Sequence, residues 1–398
     1  MTVVSNPRQP AAPGSSAAPA RPTVEHEPFT PAVRTALVHY WLVRQRGGEA
    51  VLEGLGRLFP HADLLTNVVD RSSLAGSLKD MPLRTTFVNR LPTAKRLYPL
   101  YMPLMPLALE AMDMNAYELI ISSEAGPAKW VIPSPSAVHI CYCHSPLRYV
   151  WDQRTTYFRK IPSILHPFAH MAAGRIRNAD VLSSFRVTQF VANSRFVAQR
   201  IRQYYRREAE VIHPPVDLDD YETGTPEDFY LCAGQIVSYK RLDIAIEACT
   251  RLGRRLVIVG DGDASRLKSL AGPHVTFLGR VDRAHLKDLM RRCRALLFPG
   301  VEDFGLIPVE VMASGRPVIA YGQGGALDTV EPGVSGILFD RQDADSLSAA
   351  ILEFEAMESG FDAAGCRSSA ARFSRHYFNE RFKDLTRRVL KGDGERTF

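Results

Sequence analysis

Short apolar strands and longer helical stretches alternate through the second half of the chain, and this alternation constrains the fold most strongly. The strand-like runs are Tyr230–Ala233, Leu256–Val259, Val275–Leu278, Ala295–Phe298, Val318–Ala320 and Ile337–Phe339. Helical stretches such as Leu242–Leu252 and Ala284–Arg291 separate them. Repeats of this kind over about 110 residues predict a doubly wound parallel sheet, because parallel strands need crossover connections.

The first half of the chain repeats the pattern less regularly. Strand-like runs occur at Thr35–Tyr40, Leu64–Val68, Leu119–Ser122 and Val138–Tyr142, and Gly47–Leu58 has a helical pattern. We therefore predict an α/β protein with two doubly wound, Rossmann-like domains that face a central cleft, where ligands of open parallel sheets bind. The predicted divisions are a disordered tail (1–30), an N-terminal domain (31–218), a C-terminal domain (219–376) and a helix that packs back on the N-terminal domain (377–398).

Composition is that of a globular enzyme and excludes several classes of protein. The 398 residues are 45% hydrophobic and 23% charged, and no apolar run approaches the ~18 residues of a membrane span. The N-terminus lacks a secretory pattern, so we expect a cytoplasmic protein. The net charge of +6 comes without a dense basic stripe, so nucleic acid is not an expected partner.

The segment from Glu302 to Glu310 carries the most specific chemical signal. Two carboxylates bracket a Phe304-Gly305 turn and a helix start, directly after an apolar strand. The first N–H groups of a helix have no partner within it, and with the helix dipole they attract phosphate. Carboxylates beside an anion site bind hydroxyl groups, so the segment predicts a sugar-nucleotide site.

A second loop supplies cations. Gly234 to Arg241 follows the first strand of the C-terminal domain and ends in Lys240 and Arg241, which we expect to offset the charge of a diphosphate. In the N-terminal domain, Gly47-Gly48 forms a turn that would face the diphosphate from the opposite wall. Gly260-Asp261-Gly262 lacks the third glycine of a dinucleotide fingerprint, and we expect only a tight turn near the nucleotide base.

His144 lies at the predicted carboxyl end of a strand, beside Arg148 and Trp151. A buried histidine is usually structural, but this position favours contact with a sugar hydroxyl. The neighbouring Cys141 and Cys143 lack a second pair of ligands at metal spacing, and we expect no metal site.

Basic and aromatic residues are interleaved between residues 154 and 177, including Arg154, Arg159, Lys160 and Phe168. Such a mixture can seat a protein on an anionic membrane, although a solvated helix face has the same pattern. Leu91–Met112 is a second candidate for a lipid-facing patch.

These motifs resemble glycosyltransferase family 4, the retaining sugar-nucleotide transferases of the GT-B fold, over about residues 34–385. The segment from Glu302 to Glu310, Gly47-Gly48 and Lys240 match family motifs. The combination of the 142–152 segment with Tyr239-Lys240-Arg241 resembles bacterial mannosyltransferases that build O-antigen and exopolysaccharide from GDP-mannose.

The resemblance implies a retaining transferase that moves a hexose, expected to be mannose from GDP-mannose, onto a polyprenyl-diphosphate-linked oligosaccharide. The N-terminal domain (31–218) would bind the acceptor, and the C-terminal domain (219–376) would bind the nucleotide sugar. It implies no cofactor, a metal-independent reaction, and possible peripheral contact with the inner face of the cytoplasmic membrane. The catalytic residues would be His144, Lys240 and Glu302, and the residues binding the sugar nucleotide would be Gly48, Arg241, Phe304, Gly305, Leu306 and Glu310. Gln235 departs from the arginine that many members carry, which leaves the set of diphosphate cations open.

Several alternatives remain open at this point. A glucosyl- or N-acetylhexosaminyltransferase using a UDP-sugar has the same fold and the same motifs. A Rossmann oxidoreductase would need the missing glycine fingerprint, and a phosphorylase would need a pyridoxal lysine. A non-catalytic scaffold of a polysaccharide complex would have no need of Glu302, Glu310 and Lys240.

Overall fold

The computed structural model describes residues 29, 33–43, 47–154, 158 and 161–392. The predicted tail, residues 1–30, lies outside the described residues except for Phe29. Two parallel sheets organise the described chain, and they confirm the predicted pair of Rossmann-like domains.

The first sheet is built from the N-terminal half of the chain, with strand order β3-β2-β1-β4-β5-β6-β7. Every pairing in it is parallel. The order reverses between β1 and β4, where a crevice opens at the carboxyl ends of the strands. The strands are β1 (Thr35–His39), β2 (Asp63–Thr66), β3 (Leu83–Thr85), β4 (Leu119–Glu124), β5 (Val138–Cys143), β6 (Gln189–Ala192) and β7 (Ala209–Val211).

The second sheet has the order β10-β9-β8-β11-β12-β13 and is also parallel throughout. Its order reverses between β8 and β11, so the second domain repeats the geometry of the first. The strands are β8 (Tyr230–Ala233), β9 (Leu256–Val259), β10 (Val275–Gly279), β11 (Leu296–Phe298), β12 (Val318–Tyr321) and β13 (Gly336–Phe339).

Helices cover both faces of each sheet, which explains why the strands read as continuous apolar runs. In the first sheet, Leu37 packs on one face with Leu52, while the next residue, Val38, packs on the other face with Met105. The α-helices are Gly47–Leu58, Ala94–Leu97, Met105–Glu110, His166–Ser184, Arg195–Tyr205, Leu242–Leu252, Ser265–Leu270, Arg283–Arg292, Leu306–Ala313, Ala326–Thr329, Ala344–Met357, Ala363–Ala371 and Arg375–Lys391.

The last helix, Arg375–Lys391, packs against the first domain although it follows the second in sequence. Phe378 and Phe382 lie in the same core as Leu37 and Leu52. Arg375 Nε also lies 2.5 Å from Asp217 Oδ1 in the connection between the sheets. The helix therefore links the first domain to the connection between the two sheets.

Strand β3 was not predicted, because Leu-Arg-Thr at an edge is short and carries a charge, and its pattern differs from that of a buried strand. Among the described residues, no helix is long and apolar enough to cross a membrane.

Candidate functional site

The space between the carboxyl ends of the two sheets contains a cavity of about 730 Å³. A second cavity of about 1100 Å³ continues it along the C-terminal domain, past Gly260 and Asp261. Both are lined by Tyr239, Glu302 and Arg283. We call the two together the cleft; each is large enough for a small ligand.

Two helices from different domains begin at the cleft. Gly47 and Gly48 open the helix Gly47–Leu58, and Gly305 precedes the helix Leu306–Ala313. Gly305 has φ of +87°, which favours glycine. A Cβ on Gly48 would lie 2.7 Å from the Tyr40 hydroxyl oxygen, so a side chain does not fit there without a shift. Two positive helix ends with unpaired N–H groups make this part of the cleft favourable for an anion.

Lys240 and Glu302 form an ion pair on the wall of the C-terminal domain. Lys240 Nζ lies 2.8 Å from Glu302 Oε1, and the two side chains are only 13% and 20% exposed. Burial alone would lower the pKa of Lys240, but the Glu302 carboxylate outweighs burial and the pKa is raised. The lysine therefore carries its positive charge into the cleft at neutral pH.

Glu310 lies in the second turn of the helix Leu306–Ala313 and is 6% exposed. Its Oε1 accepts a hydrogen bond from Arg283 Nη2 at 2.8 Å. Its Oε2 is buried and has no hydrogen-bond partner among the described residues. A buried carboxylate oxygen without a partner is costly, so Oε2 is suited to accept a hydrogen bond from a ligand hydroxyl.

Arg241, which was predicted to bind the diphosphate, lies outside both cavities of the cleft. Its guanidinium group donates to the Asp243 carboxylate, with Nη2 to Oδ2 at 3.0 Å, and Arg241 does not line either cavity of the cleft. Arg283, which was not predicted, lines both cavities instead. It lies far from the other motifs in sequence, and only the fold brings it to Glu310.

The ring of Phe304 lies in the core, although the residue itself lines the cleft. The ring stacks on His213 at 5.4 Å between centroids and packs against Phe373, inside the core. The segment Phe304-Gly305-Leu306 still lines the cleft. Leu306 also approaches the opposite domain, since a Cβ on Gly47 would lie 3.2 Å from its Cδ1.

His144 lines the cleft opposite Glu302. Its Nε2 lies 2.8 Å from Ser123 Oγ. Burial lowers its pKa to about 4, although nearby Asp303 acts in the opposite direction. The imidazole is therefore neutral at physiological pH and can offer one N–H and one lone pair.

A network of ion pairs crosses the cleft between the domains. Asp303 Oδ1 lies 2.7 Å from Arg148 Nη2 and 2.8 Å from Arg200 Nη1. Arg200 also bonds Asp152 at 2.7 Å, within the N-terminal domain. The Arg148 guanidinium lies 5.5 Å from the centre of the Tyr239 ring, which is a cation–π distance. The residue beside Glu302 is thus held by two arginines of the opposite domain.

The six cysteines are all buried and unpaired. Within the described part of the chain, no cluster of three or more His, Cys, Asp or Glu side chains is arranged to hold a metal ion.

Comparison with known proteins shows which family the second domain resembles. Residues 217–372 match the model of the group 1 glycosyl transferases. A D-inositol 3-phosphate glycosyltransferase of Mycolicibacterium smegmatis is 31% identical over 214 residues, which covers 47% of this chain and 49% of that protein. An uncharacterized glycosyltransferase of Methanocaldococcus jannaschii is 28% identical over 171 residues, which covers 42% of this chain and 49% of that protein. The chain thus spans about half the length of these curated relatives.

Solved structures resemble nearly the whole chain. Anabaena HepE in complex with UDP has a TM-score of 0.66 at 19% identity, covering 89% of this chain and 99% of that chain. Sucrose-phosphate synthase from Thermosynechococcus elongatus has a TM-score of 0.68 at 18% identity, covering 90% and 100%. At this identity the likeness concerns the fold. Residues 217–372 therefore resemble the group 1 glycosyl transferases, within a chain that has the two-domain GT-B fold.

Proposed function

We propose that the chain is a retaining, metal-independent glycosyltransferase that moves mannose from GDP-mannose onto a polyprenyl-diphosphate-linked oligosaccharide of exopolysaccharide or O-antigen synthesis. The observation that carries the proposal is the Lys240–Glu302 pair on the wall of a cleft where two helices begin. That arrangement joins an anion site to a carboxylate that can bind hydroxyl groups.

The diphosphate would lie between the helix starts at Gly48 and Leu306, with Lys240 as its cation. As the bond between the sugar and the phosphate breaks, negative charge grows on the leaving phosphate oxygen. Helix N–H groups and a charged lysine stabilise that charge, and they do so most where water is excluded. Arg283 can contribute from the same wall, in place of Arg241.

The sugars of the nucleotide would be held by three side chains. The free Oε2 of Glu310 accepts from the ribose, and Glu302 accepts from the hexose. His144 is neutral, so it can approach the reacting carbon without opposing the positive charge that develops there.

The chemical step needs no nucleophile from the protein. The acceptor oxygen forms its bond to the anomeric carbon on the face from which the phosphate leaves. The proton of the acceptor hydroxyl passes to the leaving phosphate oxygen, and the configuration is retained. Positioning and charge stabilisation then supply the rate enhancement.

A lipid-linked acceptor is supported by an exposed apolar surface on the N-terminal domain. The helix His166–Ser184 contacts the segment Tyr98–Leu104, and both expose large apolar side chains. The most exposed of these are Leu100 (72%), Phe168 (66%) and Leu182 (60%), and Ile164 (80%) precedes the helix by two residues. Arg175 in the helix is exposed, as are Lys95 and Arg96 shortly before Tyr98, which suits an anionic membrane. Arg159 and Lys160 of the predicted basic segment lie outside the described residues.

A UDP-sugar is the second candidate donor. Anabaena HepE has been solved with UDP and with UDP-glucose, and its fold is shared by this chain. The relative from Mycolicibacterium smegmatis is a D-inositol 3-phosphate glycosyltransferase by name, so this acceptor belongs in the same test.

The deciding experiment measures turnover of GDP-mannose, GDP-fucose, UDP-glucose and UDP-N-acetylglucosamine with a lipid-linked disaccharide or with inositol 3-phosphate. We expect turnover with GDP-mannose and the lipid-linked acceptor, and its loss in Lys240→Ala and Glu302→Ala. Arg241→Ala is the matched control and should keep most activity, because Arg241 pairs with Asp243 outside the cleft. Near-normal turnover in both Lys240→Ala and Glu302→Ala would refute the proposed site. Turnover with UDP-sugars alone would refute GDP-mannose as the donor.

A further inference from the structure

Three polar side chains form a buried chain behind the cleft. His39 Nδ1 lies 3.1 Å from Ser123 Oγ, and the same oxygen lies 2.8 Å from His144 Nε2. His39 and Ser123 are fully buried, and His144 is the member that reaches the cleft. These three side chains therefore form a relay of hydrogen bonds from the interior to a residue that lines the cleft.

The sheet itself sets this arrangement. His39 ends β1 and is paired in register with Ser123 of β4. His144 follows β5, the next strand, and its backbone N–H donates to Glu124 O at 2.7 Å. The three side chains therefore lie side by side at the carboxyl ends of adjacent strands, where the switch point of the sheet opens the cleft.

The position of each proton follows from one buried atom. His39 Nε2 is buried and has no hydrogen-bond partner among the described residues. If its proton were on Nε2, a buried N–H would be left unpaired, and buried N–H groups without a partner are rarer in proteins than acceptors without one. A proton on His39 Nδ1 instead donates to Ser123 Oγ. The single hydroxyl proton of Ser123 then donates to His144 Nε2.

Both imidazoles must be neutral for this order of donors and acceptors. Burial, then the nearby His144, lowers the pKa of His39 well below its usual value. Burial lowers the pKa of His144 to about 4. At neutral pH each ring therefore carries one proton, and its tautomer is set by its hydrogen bonds.

We propose that His39 and Ser123 are positioning residues that hold His144 as the Nδ1–H tautomer. His144 then presents an N–H donor, rather than a lone pair, to a sugar oxygen bound in the cleft. The consequence for the reaction rests on the proposed function, whereas the tautomer is a property of the free protein.

The neighbouring residue provides a matched control. Ser122 Oγ lies 2.8 Å from His139 Nε2, and both side chains are fully buried. Ser122 precedes Ser123 in β4, so its side chain points to the opposite face of the sheet. Ser122→Ala therefore removes a serine–histidine hydrogen bond of the same length that does not involve His144.

The experiment records long-range ¹H–¹⁵N spectra of the full chain labelled at its 11 histidines, without any ligand. The His144 signals are assigned by their loss in His144→Gln. We expect a protonated Nδ1 and an unprotonated Nε2 in the wild type. In Ser123→Ala a fraction with protonated Nε2 should appear, while Ser122→Ala should leave the His144 signals unchanged.

Activity gives the second readout. We expect Ser123→Ala to lower kcat about tenfold, with the Kd for GDP unchanged and Ser122→Ala close to wild type. A wild-type His144 protonated on Nε2 overturns the proposal, and this result needs no variant to fold. Equal loss of activity in both serine variants also overturns it. If instead the tautomer is as expected but no sugar is transferred, the relay stands and the proposed function fails.

Discussion

Replacing Asp303 by asparagine tests whether the ion pairs across the cleft hold the site in its working arrangement. Asp303 is the only residue among those described that places a carboxylate within 4 Å of both Arg148 and Arg200. It also directly follows Glu302, which we assign to the hexose. The substitution keeps the shape of the side chain and removes its charge.

The expected magnitude follows from burial and from the partners that remain. The side chains of Arg148, Arg200 and Asp303 are 16%, 6% and 18% exposed. Removing one partner of a buried ion pair costs about 3–5 kcal/mol. Arg200 keeps Asp152, and the amide oxygen of the introduced asparagine can still accept one hydrogen bond, so we expect about 2–3 kcal/mol, at or below the lower limit of that range. This lowers the ratio of closed to open protein roughly 30- to 150-fold at 1.36 kcal/mol per factor of ten.

The assay is steady-state turnover, together with the radius of gyration of the free protein by small-angle X-ray scattering. We expect kcat/KM to fall by up to about a hundredfold, and the free protein to become more extended. Asp152→Asn is the matched control: it removes a carboxylate from the same Arg200 but leaves every contact across the cleft, so its loss should stay within about threefold. Wild-type kcat/KM in Asp303→Asn, or an equal loss in both variants, would refute the reasoning.

Three further predictions concern single features of the structure. Gly48→Ala should lower kcat/KM at least about tenfold, because its Cβ would lie 2.7 Å from the Tyr40 hydroxyl. Adding Tyr40→Phe should restore part of kcat/KM, and no recovery would show that the clash is not the cause. The pKa of His144 is about 4 in the folded protein against 6.5 in the unfolded chain, so the unfolded chain binds more protons between these values and the free energy of unfolding must fall as the pH drops below 6.5. In urea unfolding, His144→Gln should lose about 1.3 kcal/mol less stability than the wild type on going to pH 5.5. Parallel pH profiles of the two proteins would contradict this. Phe168→Glu should weaken sedimentation with anionic liposomes at low salt about tenfold. The control Leu352→Glu, which changes an exposed leucine of the C-terminal domain, should not weaken it. Equal binding by the wild type and both variants would contradict a membrane-binding surface at Phe168.

The sequence predicted the architecture well because both sheets are parallel and buried on two faces. Such strands must be continuous apolar runs, and their crossover helices must be amphipathic, so both signals are local. The helices Gly47–Leu58 and Leu242–Leu252 were predicted with the bounds they have. The strand Leu83–Thr85 escaped prediction because it lies at an edge, where a strand needs no apolar pattern.

The site was predictable where its residues belong to a sequence motif or act through the backbone. It was less predictable where a side chain's position depends on the ion pairs and hydrogen bonds that it makes. Gly48, Gly305 and Glu302 line the cleft as expected. The structure places Arg241 outside both cavities of the cleft, because its guanidinium group pairs with Asp243, two residues along, and its role in binding the diphosphate stays a prediction. Sequence position cannot tell which of two adjacent cations turns inward.

The residues that sequence reasoning missed share one property: each acts through a contact between distant parts of the chain. Arg283 reaches Glu310, and His39 reaches His144 through Ser123. None of these belongs to a motif, because a pairing across strands leaves no local spacing to recognise. A buried polar atom without a partner is then the better guide, since folding tolerates such an atom only where something else compensates its cost. Glu310 lines the cleft, so its buried and unpartnered Oε2 indicates a ligand, whereas His39 Nε2 lies inside the domain and indicates a fixed proton. The same kind of observation therefore distinguishes a residue that binds from one that positions.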